Sequence, residues 1–300
     1  MYHGIINVYK EAGYTSHDVV AKLRGICRQK KIGHTGTLDP DAVGVLPVCL
    51  GNATKLCDML TDRQKEYIAT LQLGISTDTQ DGSGKVLARR EVSASPSEVR
   101  DVILSFVGDS MQVPPMYSAL KVNGKKLYEL AREGKEVERA ARPITIYELE
   151  ILEEAHPEYI IKVKCSKGTY IRTLCHDIGE KLGCGGVMVK LIRSKAGGFE
   201  IETARTLDQL QYLSDQGTLS EAVIPVEKMF EAYPAFSVKE SAFKAIQNGN
   251  QLKRNDFVEE TADMIDGQKM RVYSHQNIFY GVYQCDRKRE LFLPVKMFFS

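Results

Sequence analysis

Residues 32–51 carry Gly33, Gly36, Gly44 and Gly51 together with Pro40 and Pro47. That spacing rules out a long helix and predicts a shaped loop with short extended pieces. Regular structure has to come from the flanks. Residues 16–29 begin with Ser16 and then place Val19, Val20, Leu23 and Ile26 at helical spacing, which predicts a capped amphipathic helix. Residues 66–74 alternate like a half-buried strand. A helix is expected over 97–107 after the turn around Ser95-Pro96-Ser97, strands over 145–153 and 158–165, and a helix over 171–182. Gly82-Ser83-Gly84-Lys85 lacks the spacing of a phosphate-binding loop and reads as a hairpin. Near residue 233 the texture changes. Tyr233-Pro234 breaks the chain, and a short helix (239–247), the turn Asn248-Gly249-Asn250 and strand-like runs at 269–274, 278–284 and 290–298 follow. The organisation expected is an α+β domain over 1–233 and a small β-rich domain over 234–300, which is small enough to need a neighbour's support.

Hydrophobic residues make up 43% of the 300 and charged ones 26%, the balance of a folded soluble protein. No apolar run reaches membrane-spanning length. The N-terminus reads as an opening strand and not as a signal peptide, so a cytoplasmic location is expected, with no membrane partner. The seven Cys include no Cys-x-x-Cys pair, so they are expected to be reduced, partly buried thiols, with no metal site. The net charge of +1 is uninformative, but its distribution is not. Lys22, Arg24, Arg28, Lys30 and Lys31 form one basic run without an acid. Residues 162–195 hold eight Lys/Arg against Asp177 and Glu180. Such clusters suit either a phosphate-binding face or ordinary solvated surface.

The segment Gly33-His34-Thr35-Gly36-Thr37-Leu38-Asp39-Pro40-Asp41-Ala42-Val43-Gly44-Val45-Leu46-Pro47 sets one imidazole and two carboxylates on a stiffened loop. Pro40 biases Asp39 to an extended backbone, which suits a carboxylate that must meet a substrate at fixed geometry. An isolated Asp-Pro would simply start a turn. The whole segment, however, resembles the catalytic motif of the TruB family of tRNA pseudouridine synthases, Gly-His-Thr-Gly-x-Leu-Asp-Pro-x-Ala-x-Gly-x-Leu-Pro, at each fixed position. Gly4–Ser16, Leu50–Lys55, Lys65-Glu66-Tyr67, Thr77–Asp81, Pro114–Lys121, Gly124–Gly134, Cys165–Leu174 and Leu191-Ile192-Arg193 are similar to further family stretches. Glu11 stands where the family usually has Pro. Likeness is good from residue 4 to about 200. Beyond 233 it is a general likeness to the small RNA-binding PUA fold.

The resemblance implies a pseudouridine synthase fold, with a mixed, mainly antiparallel sheet flanked by helices and a PUA-like C-terminal domain. It implies isomerisation of uridine 55 in the T loop of tRNA. The N1–C1′ bond breaks, the base turns, and C5 joins C1′, with no cofactor needed. Asp39 is then the catalytic residue, Arg172 its ion-pair partner, and Tyr67 the aromatic that stacks on the flipped base and holds or relays the C5 proton. Tyr170 and Leu191 map to other base-contacting positions. His34 is expected in the space of the extruded base, and Lys55 and the basic residues of 121–132 are expected at phosphates. The partner is the tRNA T arm, and the enzyme is expected to be a monomer.

Three other readings compete. An RNA chaperone without catalysis is disfavoured by the intact Asp39 and Arg172. A guide-RNA-dependent synthase is expected to have a longer N-terminal arm, whereas only three residues precede the first motif here, so no guide RNA is expected. A metabolic enzyme would need a phosphate or cofactor motif.

Overall fold

The computed structural model describes residues 1–122 and 124–298. In chain order the first half comprises β1 (Gly4–Lys10), α1 (Ser16–Ile26), β2 (Ile32–His34), β3 (Val43–Leu50), α2 (Cys57–Thr61), β4 (Lys65–Leu73), β5 (Ile75–Thr77), β6 (Val86–Arg89), α3 (Pro96–Leu104) and β7 (Gly108–Gln112). Then come β8 (Lys121–Val122), β9 (Lys125–Lys126), α4 (Leu127–Arg132), β10 (Arg142–Ala155), β11 (Glu158–Cys165), α5 (Ile171–Lys181), β12 (Gly186–Ala196), β13 (Phe199–Glu200) and α6 (Leu207–Asp215). The C-terminal part holds β14 (Ala235–Ser237), α7 (Phe243–Gln247), β15 (Leu252–Lys253), β16 (Lys269–Tyr273), β17 (Phe279–Asp286) and β18 (Leu291–Met297).

A nine-stranded sheet runs β1-β3-β12-β4-β11-β10-β7, with β2 and β13 attached. Every pairing in it is antiparallel except β3 with β12. The expected mixed, mainly antiparallel α+β sheet is therefore present. Period-two alternation in the central strands builds one core: Tyr67, Ala69, Leu71 and Leu73 of β4 meet Tyr159, Ile161, Val163 and Cys165 of β11. Helix α5 covers this face with Ile171, Leu174, Cys175 and Ile178, which are spaced as one helical stripe. It lies almost directly on β12, because a Cβ at Gly179 would fall 2.0 Å from the Gly186 nitrogen. A second core joins α1 and α6 to β1 and β3 through Val19, Leu23, Leu207, Leu210, Ile6 and Leu46.

Two local details differ from the expectation. The cap of α1 is Thr15, which forms a reciprocal capping box with Asp18. Ser16 instead turns inward, and its hydroxyl accepts the Leu38 N–H at 2.9 Å. Residues 43–50 form a full eight-residue strand and not merely a short extended piece. Gly44, at φ +108°, makes this possible, since a Cβ there would lie 2.4 Å from the Arg193 carbonyl oxygen. Gly82–Lys85 lies in the β5–β6 hairpin, as expected. All seven Cys are free thiols, and all but Cys57 are buried.

The second sheet runs β14-β16-β17-β18-β15 over its own core of Val238, Ile246, Phe257, Met270, Tyr283 and Phe292. It does not stand alone. Val282, Phe279 and Phe298 pack with Ile5, Val45, Leu56 and Phe230 of the larger unit. The Asn52 amide and the Lys55 ammonium donate to the Phe298 and Met297 carbonyls, each at 2.8 Å.

Candidate active site

The loop between β2 and β3 is held from four sides. Thr35 donates through its N–H and its hydroxyl to the Pro47 carbonyl, both at 3.1 Å. Ser16 of α1 takes the Leu38 N–H, and Leu38 and Ala42 are anchored in the core under β4. From below, Lys10 at the end of β1 donates to the carbonyls of Pro40 at 2.8 Å and Glu11 at 3.0 Å. Lys10 is fully buried, and burial pulls its pKa down to about 8. Arg193 of β12, also buried, donates to Val45, Gly36 and Thr37 carbonyls at 2.7, 3.3 and 3.5 Å. The carbonyls of Thr37 and Pro40, before and after Asp39, are thus turned into the protein.

The Asp39 carboxylate meets Arg172 in the first turn of α5, at 3.0 Å. The Arg172 side chain is 7% exposed and that of Asp39 38%, so the carboxylate reaches solvent while the guanidinium lies behind it. The same guanidinium reaches Asp81 at 3.4 Å. Asp81 in turn accepts from the Ser83 N–H (3.0 Å), the Ser83 hydroxyl (2.6 Å) and the Thr79 hydroxyl (2.7 Å). Thr173, next to Arg172, donates to the Gln80 side chain at 2.7 Å, which ties this loop to α5. Burial pushes the Asp39 pKa upward, Arg172 pulls it back, and Asp81 adds to the rise.

Tyr67 of β4 is buried beside this pair and lies directly opposite Arg193 across the β4–β12 pairing. Burial raises the pKa of its phenol, against the pull of the guanidinium, so it is a neutral phenol near pH 7. Leu191, two residues before Arg193 and opposite Ala69, packs onto the core that contains Tyr67. Tyr170 is fixed by its backbone, since the Gln112 side chain takes its N–H at 2.8 Å and donates to its carbonyl at 3.0 Å. Its ring centroid is 6.0 Å from the Arg172 guanidinium carbon. His34, on β2, accepts the Gly36 N–H at 3.3 Å and meets the His17 ring edge-on at 5.3 Å. Burial first, then His17 and Arg193, hold His34 below its ordinary pKa, so it is a neutral imidazole at pH 7.

Asp39, Arg172, Tyr67, Tyr170 and Leu191 are thus brought to one end of the central strands, with His34 at the entry of the loop. Lys55 is not in this group. It follows the far end of β3 and reaches the C-terminal strand. The basic stretch 162–195 is not one face either. Arg172 and Arg193 are buried, while Lys162, Lys164, Lys167 and Lys195 pair with Glu150, Glu148, Asp62 and Glu200. Lys126 and Arg132 both lie over the Tyr128 ring, on a small hairpin and helix. Among the described residues, no group of three or more His, Cys, Asp or Glu side chains is arranged to hold a metal ion, and no helix is long and apolar enough to cross a membrane.

Sequence reasoning missed Asp81, Lys10 and Arg193. In the sequence Asp81 stands only as the end of the Thr77–Asp81 stretch, and its partner is 91 residues away. Lys10 ends a strand whose other residues are nearly all buried, and Arg193 shares the inward face of β12 with Leu191. A charge on an inward position was the available signal for both.

A family model described as "TruB family pseudouridylate synthase (N terminal domain)" matches residues 24–171, and "tRNA pseudouridylate synthase B C-terminal domain" matches residues 172–231. The chain is 52% identical to a tRNA pseudouridine synthase B of Lachnoclostridium phytofermentans, with 99% of each chain covered. It is 45% identical to one of Alkaliphilus oremlandii, with 98% of this chain and 97% of the relative covered, and 48% identical to one of Clostridium novyi, with 93% and 94% covered. Among solved structures it superposes on one of an H/ACA RNP bound to a substrate RNA containing 2′-deoxyuridine, with TM-score 0.71 and 26% identity over 99% of this chain and 86% of the other. A chain of the archaeal box H/ACA sRNP Nop10–Cbf5 complex gives TM-score 0.70 and 27% identity at the same coverage.

Proposed function

The chain belongs to the TruB family of pseudouridylate synthases, and from that premise we propose that it isomerises uridine 55 in the T loop of tRNA, with Asp39 as the catalytic carboxylate. It is a tRNA pseudouridine synthase, and hence an isomerase, by its similarity over nearly the whole chain to relatives of that name. The observation that carries the assignment to Asp39 is its pairing with a buried arginine beside the core cluster that holds Tyr67 and Leu191.

The reaction needs a carboxylate at the sugar–base junction, a flat wall for the freed base and exclusion of water. Burial raises the Asp39 pKa, and Arg172 opposes that rise and aims the carboxylate. The Tyr67 ring is the wall for the base, with Leu191 and Tyr170 completing the slot. A base inside a folded T loop is out of reach, so the nucleotide must be extruded, and a neutral His34 fills the vacated space without adding charge. Lys55 was expected at a phosphate. Its bond to Met297 favours a role at the joint with the C-terminal domain, where RNA backbone passing both units would meet it.

The domain boundary falls at 233/234, just before β14 opens the second sheet at Ala235. The smaller domain, 234–300, is the PUA-like part that adds RNA-binding surface. The enzyme works as a monomer in the cytoplasm on the T arm of free tRNA, without a guide RNA. Full-length similarity to tRNA enzymes supports this over the ribonucleoprotein reading.

The test is release of tritium from C5-labelled uridine in a tRNA transcript. Release that disappears when the T-loop uridine is replaced by cytidine establishes reaction and site. A transcript that binds yet releases nothing overturns the proposal.

A further inference from the structure

Among the described residues Arg193 is the largest fully buried side chain, at 1% exposure. Among the described residues no carboxylate lies within ion-pair distance of it. A buried charge without a counter-ion is costly, and a well-packed apolar side chain would usually serve stability better. Three of its five N–H donors are spent on Val45, Gly36 and Thr37 carbonyls. The last two belong to the peptide groups just before Leu38-Asp39. Its backbone sits opposite Tyr67 on β4 and beside Gly44 on β3. Directly opposed residues in an antiparallel pair have neighbouring side chains on one face, which sets the guanidinium beside the Tyr67 phenol. Gly44 lets the two backbones close, so the guanidinium is held at the seam of three strands.

We propose that Arg193 is a positioning residue for the isomerisation, which holds the Asp39 loop and the Tyr67 ring in one frame through a single planar guanidinium. The inference rests on the function proposed above. A rigid fork fixes the separation of the groups it binds, which a flexible ammonium does not. The carboxylate and the aromatic wall come from segments 28 residues apart in sequence (39 and 67) and share no direct bond. Arg193 bonds to the loop on one side and is the cross-strand neighbour of Tyr67 on the other.

The experiment is steady-state tritium release by the wild type, Arg193→Met, Arg193→Lys, Tyr67→Phe and the double variant Arg193→Met/Tyr67→Phe, each scaled to folded protein. A misplacement of about 1 Å costs roughly 100-fold in rate. Arg193→Met is therefore expected to lower kcat by about that factor while KM changes less than about threefold. Arg193→Lys should recover part of kcat. In the double variant the two losses should be less than additive, because both sever the same link. If Arg193→Met does not fold, Arg193→Lys alone and combined with Tyr67→Phe carries the same test, through a kcat loss at unchanged KM and less than additive losses. Unchanged kcat per folded molecule, or a rise in KM alone, or strictly additive losses would overturn the inference while leaving the proposed function intact. A wild type that releases no tritium would overturn the function, and this role with it.

Discussion

Replacing Arg172 by Met removes the cation that pairs with both Asp39 and Asp81 while keeping a side chain of fair length. In the wild type the guanidinium lies 3.0 Å from Asp39 and 3.4 Å from Asp81. Breaking a buried pair by removing one partner costs on the order of 3–5 kcal/mol. The Asp39 side chain is 38% exposed, so solvent screens its share. A loss of about 2–3 kcal/mol of folding stability is the resulting expectation. At roughly 2–4 °C per kcal/mol for a large domain, the melting midpoint should fall by about 5–10 °C. The effect on turnover follows from the carboxylate. Burial already raises the Asp39 pKa, and Arg172 is its largest counterweight. Without it the pKa rises further, a larger fraction of Asp39 is protonated at neutral pH, and the survivor is no longer aimed. The acid limb of the kcat profile should move to higher pH, and kcat at pH 7 should fall at least ~100-fold. Arg172→Lys keeps the charge but not the fork, so its acid limb should lie closer to the wild type. Tritium release at saturating tRNA from pH 5.5 to 9, with calorimetric melting of each variant, reads both effects. A folded Arg172→Met enzyme whose acid limb coincides with the wild type would refute the argument that Arg172 governs the ionisation of Asp39.

Asp39→Asn should abolish turnover and leave tRNA affinity within about twofold, since one short side chain contributes little to an interface dominated by phosphate contacts; equal losses of affinity and rate in filter binding and tritium release would remove Asp39 from the chemistry. Gly44→Ala should destabilise the protein by at least ~2 kcal/mol, because φ is +108° and the new methyl meets the Arg193 carbonyl, and an unchanged melting midpoint would contradict the close β3–β12 approach. Lys10 has a folded pKa of about 8 against 10.5 for an ordinary lysine. The unfolded chain therefore binds more protons between these values, and stability should rise from pH 8 to 10.5 relative to Lys10→Met, by on the order of 3 kcal/mol; parallel urea-denaturation profiles for the two proteins would refute the burial of a charged amine. Binding of tRNA should weaken steeply with salt, and a flat response in titrations from about 50 to 200 mM salt would exclude backbone-dominated recognition.

What could be read in the sequence was what is local. The α3 cap is a reciprocal Ser95–Glu98 box within four residues, and the alternation of β4 and β11 is visible in each strand alone. The Asp39 loop was legible because its motif is contiguous and keeps every fixed position. β3 was not, because Gly44 and Pro47 break strands on local criteria. Only the packing of Gly44 on Arg193, and of Pro47 opposite Asn7 with its carbonyl on Thr35, shows why they are tolerated. The same limit hid Asp81, Lys10 and Arg193, whose partners lie 91, 30 and 148 residues away. The role expected of Lys55 depended on a motif position. Its observed bond depends on a strand 242 residues later, which no local pattern announces.

The shared cluster that joins Phe298 and Val282 to Ile5, Val45 and Leu56 also bears on how the chain is made. A ribosome delivers β1 long before β18, so although Ala196, Phe199, Val226 and Phe230 cover part of the apolar back of the first strands, the share that Val282 and Phe298 cover stays open until the second sheet has emerged. Asn52 waits 246 residues for the carbonyl it binds. Such late, non-local closure slows folding and leaves a nascent chain with exposed apolar surface for many seconds at ~5–20 residues per second. Nascent chains released short of residue 279 should accordingly be chaperone clients, even though every residue around Asp39 named above has already been synthesised.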